Sequence, residues 1–223
     1  TGMLPQTSGR IAAQTAKQVV LQRLRDAERD LVFSEYADKE GEAYTVTVQR
    51  IEHNHIVVEL GRAEAILPPS EQLRFDRYRV GQKMKMLLQS IRQSAKGPEL
   101  IVSRADKLLV KRLFEMEVPE IYNGTVEIIS IAREPGSRNK VAVSAKQEGI
   151  DAVGSCVGLR GVRIQNIVNE LHGEKIDVVQ WDKNPAQLIA SALSPCQVLR
   201  VDIDDRNHSS VAVVPERQLS LAI

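Results

Sequence analysis

Residues 158–161 read Gly-Leu-Arg-Gly, between two short apolar segments of helical spacing, Ala152–Val157 and Val162–Gly173. Two glycines three apart allow a turn in which the backbone adopts positive φ and lies bare of side chains. The tetrad alone is a weak signal. With 13 glycines in 223 residues, chance supplies about 0.7 such pairs. The segments around it constrain far more. Ser103-Arg104-Ala105-Asp106 fits a capping box ahead of an apolar run. Leu109, Leu113 and Met116 then form a helical stripe that should stop before Pro119. Thr125–Ile131 and Lys140–Ser144 alternate as strands, joined by a polar loop over 132–139, and Lys175–Trp181 is a further strand. The order is α-β-β-α-α-β, with the tetrad between successive helices.

Upstream, Ala13, Ala16, Val20, Leu24, Ala27 and Leu31 step along one helical face, so residues 11–36 are predicted to be a helix of roughly 39 Å. Either it packs along a neighbouring domain, or it is a connector that holds a further N-terminal domain at a fixed distance. Residues 1–40 carry six charges of each sign, which disfavours an RNA-binding helix. Over residues 41–104 the period changes to short alternating runs: Ala43–Ile51, Ile56–Leu60, Ala65–Leu67, Met84–Leu88 and Glu99–Val102. Turn residues fall between them. Five short strands without a long helix suit a small closed barrel of the OB type, which binds single strands across one face. This segment has ten basic and seven acidic residues. Exposed aromatics and rim arginines serve base stacking in such barrels; the candidates are Tyr44, His53, His55 and Arg62. Val46 and Ala65 stand where glycine is usual, and the paired phenylalanines of a stacking face are missing. Base stacking on this barrel is therefore not expected to be strong.

After Trp181 a second, partial copy follows: a helix over Pro185–Leu193, strands over Val198–Ile203 and Ser210–Val214, and another helix from Glu216. It reads as an internal repeat, broken where a second Gly-x-x-Gly is expected. The start, Thr1-Gly2-Met3, reads as a remnant of a joint, and the end, at Ile223, falls inside a helix. The chain is therefore expected to be a fragment.

The α-β-β-α-α-β order with Gly-x-x-Gly between the helices is that of the prokaryotic type of KH domain, which clamps single-stranded nucleic acid. Gly158 and Gly161 would let a phosphate backbone approach, and the following helix N-terminus favours an anion. Leu159 lies within the same turn. Arg160 and Arg163 add positive charge. The loop Arg133–Lys140 holds Arg133, Arg138 and Lys140 against one carboxylate, Glu134. Its alternative reading is a plain hairpin whose Arg133–Glu134 pair faces water. Cys156 reads as a small buried helix residue rather than a nucleophile, because no histidine is near it in sequence.

Six strings in this order extend the reading: Arg10–Lys17, Glu117–Ile121, Ala132–Arg138, Val153–Gly158, Asn169–Asp177 and Gln218–Ile223. From about residue 10 to its end, the chain closely resembles the NusA family of bacterial transcription termination/antitermination factors. The resemblance implies a multidomain α+β architecture. A connector helix occupies 1–40, an OB-fold RNA-binding barrel 41–104, a first KH domain 105–183 and a truncated second KH domain 184–223. The N-terminal polymerase-binding domain of the family is expected to be absent. The resemblance also implies binding of nascent single-stranded RNA and RNA polymerase, cooperation with other Nus antitermination factors, and roles in pausing, termination and antitermination. By this reading the RNA-facing residues are Gly158, Leu159, Arg160, Gly161, Arg163, Arg133, Arg138, Lys140, His55 and Arg62.

The chain has 30 basic and 29 acidic residues, so it lacks the excess charge of a non-specific polyanion binder. No apolar run of about eighteen residues suggests a membrane span. Two cysteines, Cys156 and Cys196, fit no metal template and suit a reducing, cytoplasmic compartment. No catalytic, metal or cofactor site is expected, and the protein should be monomeric. An RNA-processing enzyme is a remote rival, since polynucleotide phosphorylases also carry both modules, but in the opposite order and with a catalytic core. The stronger rival is a protein-interaction scaffold that docks on polymerase with little RNA affinity.

Overall fold

The computed structural model describes residues 6–94 and 97–222. Thr1-Gly2-Met3 and Ile223 lie outside the described residues. The expected mixed α+β architecture with an N-terminal helix and a closed five-stranded barrel is borne out. The chain forms two compact units. One holds the residues up to Pro69 and Tyr78–Ser103; the other holds Ser70–Arg77 and Arg104 onward.

In the first unit, helix α1 (Gln6–Tyr36) leads into strands β1 (Ala43–Ile51), β2 (Ile56–Leu60), β3 (Ala63–Leu67), β4 (Lys83–Ser94) and β5 (Gly97–Ser103). The barrel closes in the order β1-β2-β3-β5-β4. Only β3 and β5 pair in parallel. Alternation puts Val46, Val48, Val58, Leu67, Met86, Leu88 and Val102 inside, an aliphatic core that agrees with an aromatic content of 4%. Val46 and Ala65, in the places where glycine was expected, are fully buried. Strand β4 runs past the expected Leu88 to Ser94, so Gly97 and Pro98 lie within β5 rather than in a turn.

The expected stripe on α1 is not its buried face. Val20, Leu24 and Leu31 are exposed, while Val32 and Tyr36 pack on the barrel core. The Tyr36 hydroxyl donates to the Leu60 carbonyl at 3.0 Å. A Cβ on Gly61, whose φ is +60°, would lie 2.7 Å from that hydroxyl. Glycine at 61 therefore admits the tyrosine that fixes the last turn of α1.

The second unit contains α2 (Lys107–Glu117), α3 (Pro119–Tyr122), β6 (Val126–Glu134), β7 (Arg138–Ala145), α4 (Ala152–Val157), α5 (Val162–Glu170) and β8 (Lys175–Gln180). The sheet order is β6-β7-β8, antiparallel between β6 and β7 and parallel between β7 and β8. Its core joins Leu109, Val110, Leu113 and Phe114 of α2 to Val141, Val143, Cys156, Ile167 and Leu171. The buried face of α2 thus includes Val110 and Phe114, and Met116 is exposed. The cap also differs from expectation. Asp106, not Ser103, is the N-cap, and its carboxylate accepts from the Leu108 N–H at 2.8 Å. Ser103 is buried as the last residue of β5, three residues before that cap. After β8 come α6 (Pro185–Ala192), the hairpin β9 (Arg200–Asp204) with β10 (Ser209–Val213), and α7 (Leu219–Ala222).

The polar loop expected over 132–139 is largely ladder. Arg133 pairs with Asn139 and Glu134 with Arg138, which leaves a tight turn at Pro135-Gly136-Ser137. The charged residues are tolerated in the strands because a distant carboxylate, Glu174, neutralises Arg133.

Candidate nucleic-acid interface

Helix α4 starts on Asp151, whose carboxylate accepts from the Gly154 N–H at 2.9 Å. It stops at Gly158 because φ there is +75° with ψ 174°, a region that is essentially glycine-only. Arg160 (φ 55°) and Gly161 (φ 77°) are both left-handed. α5 begins directly after Gly161, and no side chain caps it. The Val162 N–H turns back to donate to the Leu159 carbonyl, and the helix dipole leaves partial positive charge at this end.

The side chains of the turn divide into two groups. Leu159 is 85% exposed, and Arg160 is exposed and makes no ion pair among the described residues. Arg163 instead folds back. Its Nη1 lies 2.6 Å from the Ser155 carbonyl and 2.9 Å from Glu120, and its stem fills the space where a Cβ on Gly158 would sit, 2.8 Å from Cγ. No heavy atom lies within 4 Å of a Cβ placed on Gly161. One glycine is thus demanded by the fold, whereas the other leaves an open approach to the backbone.

Arg133 does not reach the surface, contrary to expectation. Its guanidinium is 2% exposed and grips Glu174 through Nε at 2.8 Å and Nη2 at 3.0 Å, while Nη1 donates to the Asp106 carbonyl at 2.6 Å. Glu174 also accepts from Gly136 N–H at 2.8 Å and Asn139 Nδ2 at 2.6 Å. A planar cation and a carboxylate satisfied on both oxygens can be buried together. Glu174 follows the C-terminus of α5, and the Gly158–Gly161 turn precedes its N-terminus, about 13 Å away for nine residues of helix. The hairpin turn and the Gly-x-x-Gly turn therefore sit at opposite ends of α5. Arg138 and Lys140 remain partly exposed, each with a nitrogen 3.3 Å from Asp177 Oδ2. Their counter-charge is Asp177 rather than Glu134. Lys140 also donates to the Ser194 carbonyl at 3.2 Å.

Close to the Glu174 cluster, Arg104 is fully buried and donates through Nε to Asp76 at 2.9 Å and through Nη2 to the Glu170 carbonyl at 3.0 Å. The second Asp76 oxygen lies 2.6 Å from His172 Nδ1. Sequence reading found neither cluster. The partners are 27 to 96 residues apart, and no local period links them.

In the first unit, His55 and Arg62 line one open groove of about 700 Å³ between α1 and the barrel. Arginines 25, 29, 50 and 62 are matched there by glutamates 28, 52, 64 and 99. Arg50 is bound by Glu52 at 2.8 Å and by Glu64 at 3.0 Å, and His55 lies 3.3 Å from Glu52. Tyr44 is packed edge-on against Tyr36, with centroids 5.9 Å apart, and is not a free stacking surface. Cys156 is fully buried, and burial pushes its thiol pKa up to about 12. It is no nucleophile. Among the described residues no cluster of His, Cys, Asp or Glu could hold a metal ion, and no helix is long and apolar enough to cross a membrane.

A closed barrel followed by a sheet whose two successive helices meet at Gly-x-x-Gly defines a multidomain protein of the KH class. The comparisons with known proteins agree and go further. Residues 104–181 match the NusA-like first KH domain, 185–223 the NusA-like second KH domain, and 3–30 the NusA N-terminal domain. The chain belongs to the NusA family. Relatives called "Transcription termination/antitermination protein NusA" include those of Halalkalibacterium halodurans (48% identical), Bacillus subtilis (49%) and Thermus thermophilus (44%), each aligned over 98% of this chain. The chain spans 57%, 59% and 57% of their lengths. The match to the N-terminal domain falls on residues of the predicted connector helix.

Proposed function

We propose that this chain is the RNA-reading part of a transcription factor that contacts nascent single-stranded RNA and RNA polymerase and modulates pausing, termination and antitermination. The observation that carries the reading is the Gly158–Gly161 turn. Gly161 is open to close approach, Arg160 projects freely, and an uncapped helix start lies behind them. These features suit a phosphate backbone laid against the main chain. The names of the relatives support the transcriptional role. The remaining parts of the proposal are a monomeric, cytoplasmic protein without catalytic activity that works with other Nus factors. Arg160, Leu159 and Gly161 make the primary contacts, and Arg138 and Lys140 give secondary ones. Arg163 positions the turn. His55 and Arg62, in a charge-balanced groove, contribute little.

Gly161→Asp tests the reading. Aspartate tolerates left-handed backbone, so the fold persists while a negative charge meets the phosphate. Binding to single-stranded RNA should fall at least tenfold, and the parent's affinity should decline steeply with salt. Parent-like binding by the variant would remove the turn from the interface. The scaffold reading draws on the exposed apolar residues Ile11, Val20 and Leu24 of α1. It predicts polymerase binding that survives Gly161→Asp and is lost on Val20→Asp/Leu24→Asp.

A further inference from the structure

Segment Ser70–Arg77 leaves the barrel sequence yet belongs to the second unit. It is pinned there at three points. The Glu71 carbonyl accepts from Arg104 N–H at 3.0 Å, Leu73 is buried, and Asp76 holds Arg104 and His172. Between and beside these anchors, Arg74, Phe75 and Arg77 project outward. Phe75 is 75% exposed, and its ring edge lies 3.5 Å from where a Cβ of Gly136 would be, beside the β6–β7 turn. That turn is itself fixed, with Gly136 N–H on Glu174 and the Ser137 carbonyl accepting from Lys175 N–H at 3.0 Å.

We infer that Phe75, with Arg74 and Arg77, is a second single-strand contact, a base-stacking platform at the end of α5 opposite the Gly-x-x-Gly turn. This inference rests on the RNA-binding reading above and extends it. A large exposed ring on a backbone held rigid from below loses little freedom when a base stacks on it. The two arginines carry no ion pair among the described residues, and the two carboxylates that hold this segment and the neighbouring turn are already neutralised, Asp76 by Arg104 and Glu174 by Arg133. Glu134 is the acidic side chain left exposed nearby. Aromatic face plus flanking cations matches the stacked base and phosphates of a single strand. A KH turn clamps about four nucleotides, so the platform should engage only a longer strand.

The experiment uses the whole chain and fluorescent single-stranded RNAs of about four and about twelve nucleotides, chosen around the length a KH turn holds. Phe75→Ala should weaken the longer RNA roughly tenfold and leave the shorter unchanged. Phe75→Trp should bind like the parent. Arg74→Ala and Arg77→Ala should each reduce the salt slope on the longer RNA by about one. Equal binding of the longer RNA by parent and Phe75→Ala overturns the platform, and so does an equal loss on both probes. If Phe75→Ala instead weakens binding to RNA polymerase and spares RNA, the surface is a protein contact and the inference fails. Loss on Gly161→Asp in the same assay shows that the underlying reading stands independently. A parent that binds neither probe refutes both.

Discussion

Arg133 and Glu174, 41 residues apart in sequence, meet in a two-pronged ion pair with both side chains almost wholly excluded from solvent. The pair joins the end of β6 to the start of β8 and, through Gly136 and Asn139, fixes the hairpin turn. Glu174→Ala would strand the buried guanidinium and orphan two further donors. It should destabilise the second unit by about 3–5 kcal/mol, read as a shifted urea midpoint. Arg133→Met with Glu174→Leu should recover much of that loss, because no unpaired charge remains.

The two glycines of the turn should respond differently. Gly158→Ala forces a Cβ against the Arg163 stem, whose head is held by Ser155 and Glu120, and it occupies a backbone region that costs about 1–3 kcal/mol. Thermal melting should register that loss, and adding Arg163→Ala should relieve only the steric part. Gly161→Ala meets open space and should cost only about 1 kcal/mol.

Arg160 sits at φ 55° without being glycine, so Arg160→Gly should raise stability by about 1 kcal/mol. The same change removes a free cation. Affinity for single-stranded RNA should fall, and the salt slope should drop by about one. A more stable variant that binds less well would show strain held for function.

Cys156 should resist alkylation in the native state. Its thiol ionises near pH 12 when folded, against 9.0 ordinarily, and only the unfolded chain offers a thiolate at neutral or mildly basic pH. The pH dependence follows in sign. The folded pKa is raised, so this contribution to stability is complete below about pH 9 and is lost as pH rises toward 12. Iodoacetamide labelling followed across a denaturant titration should track global unfolding.

The anchor of α1 offers a further check. Tyr36→Phe removes a buried hydrogen bond to Leu60 and should cost the first unit roughly 1 kcal/mol. Gly61→Ala should cost more, since the new methyl would collide with the hydroxyl. Combined with Tyr36→Phe it should cost less than the sum of the two, as measured by denaturation of the double variant.

The barrel and the α-β-β-α-α-β unit were legible because their apolar residues repeat with the period of the element that buries them. Gly158–Gly161 was legible because a turn demands backbone angles that few residues accept. What escaped was set by partners remote in the chain. Arg133 looked like a loop cation because Glu174 lies far along the sequence, and Val110 and Phe114 looked less inward than Met116 until the sheet defined which side of α2 faces it. On α1 the regular small-and-large stripe was real, yet Val32 and Tyr36 were chosen for burial by the barrel's curvature and by the bare backbone at Gly61. Ser103 fitted the pattern of a cap, but it closes β5 and the helix starts three residues later, behind Asp106.

The assignment of Ser70–Arg77 to the second unit has a consequence for how the protein can be dissected. The first KH domain, as recognised by sequence, begins at residue 104. A gene fragment opened there would discard Asp76 and leave Arg104 and His172 facing an empty seat. Poor solubility of such a fragment would then reflect where the scissors fell rather than any fault in the KH fold, and supplying residues 70–77 as a separate peptide should restore what the cut removed.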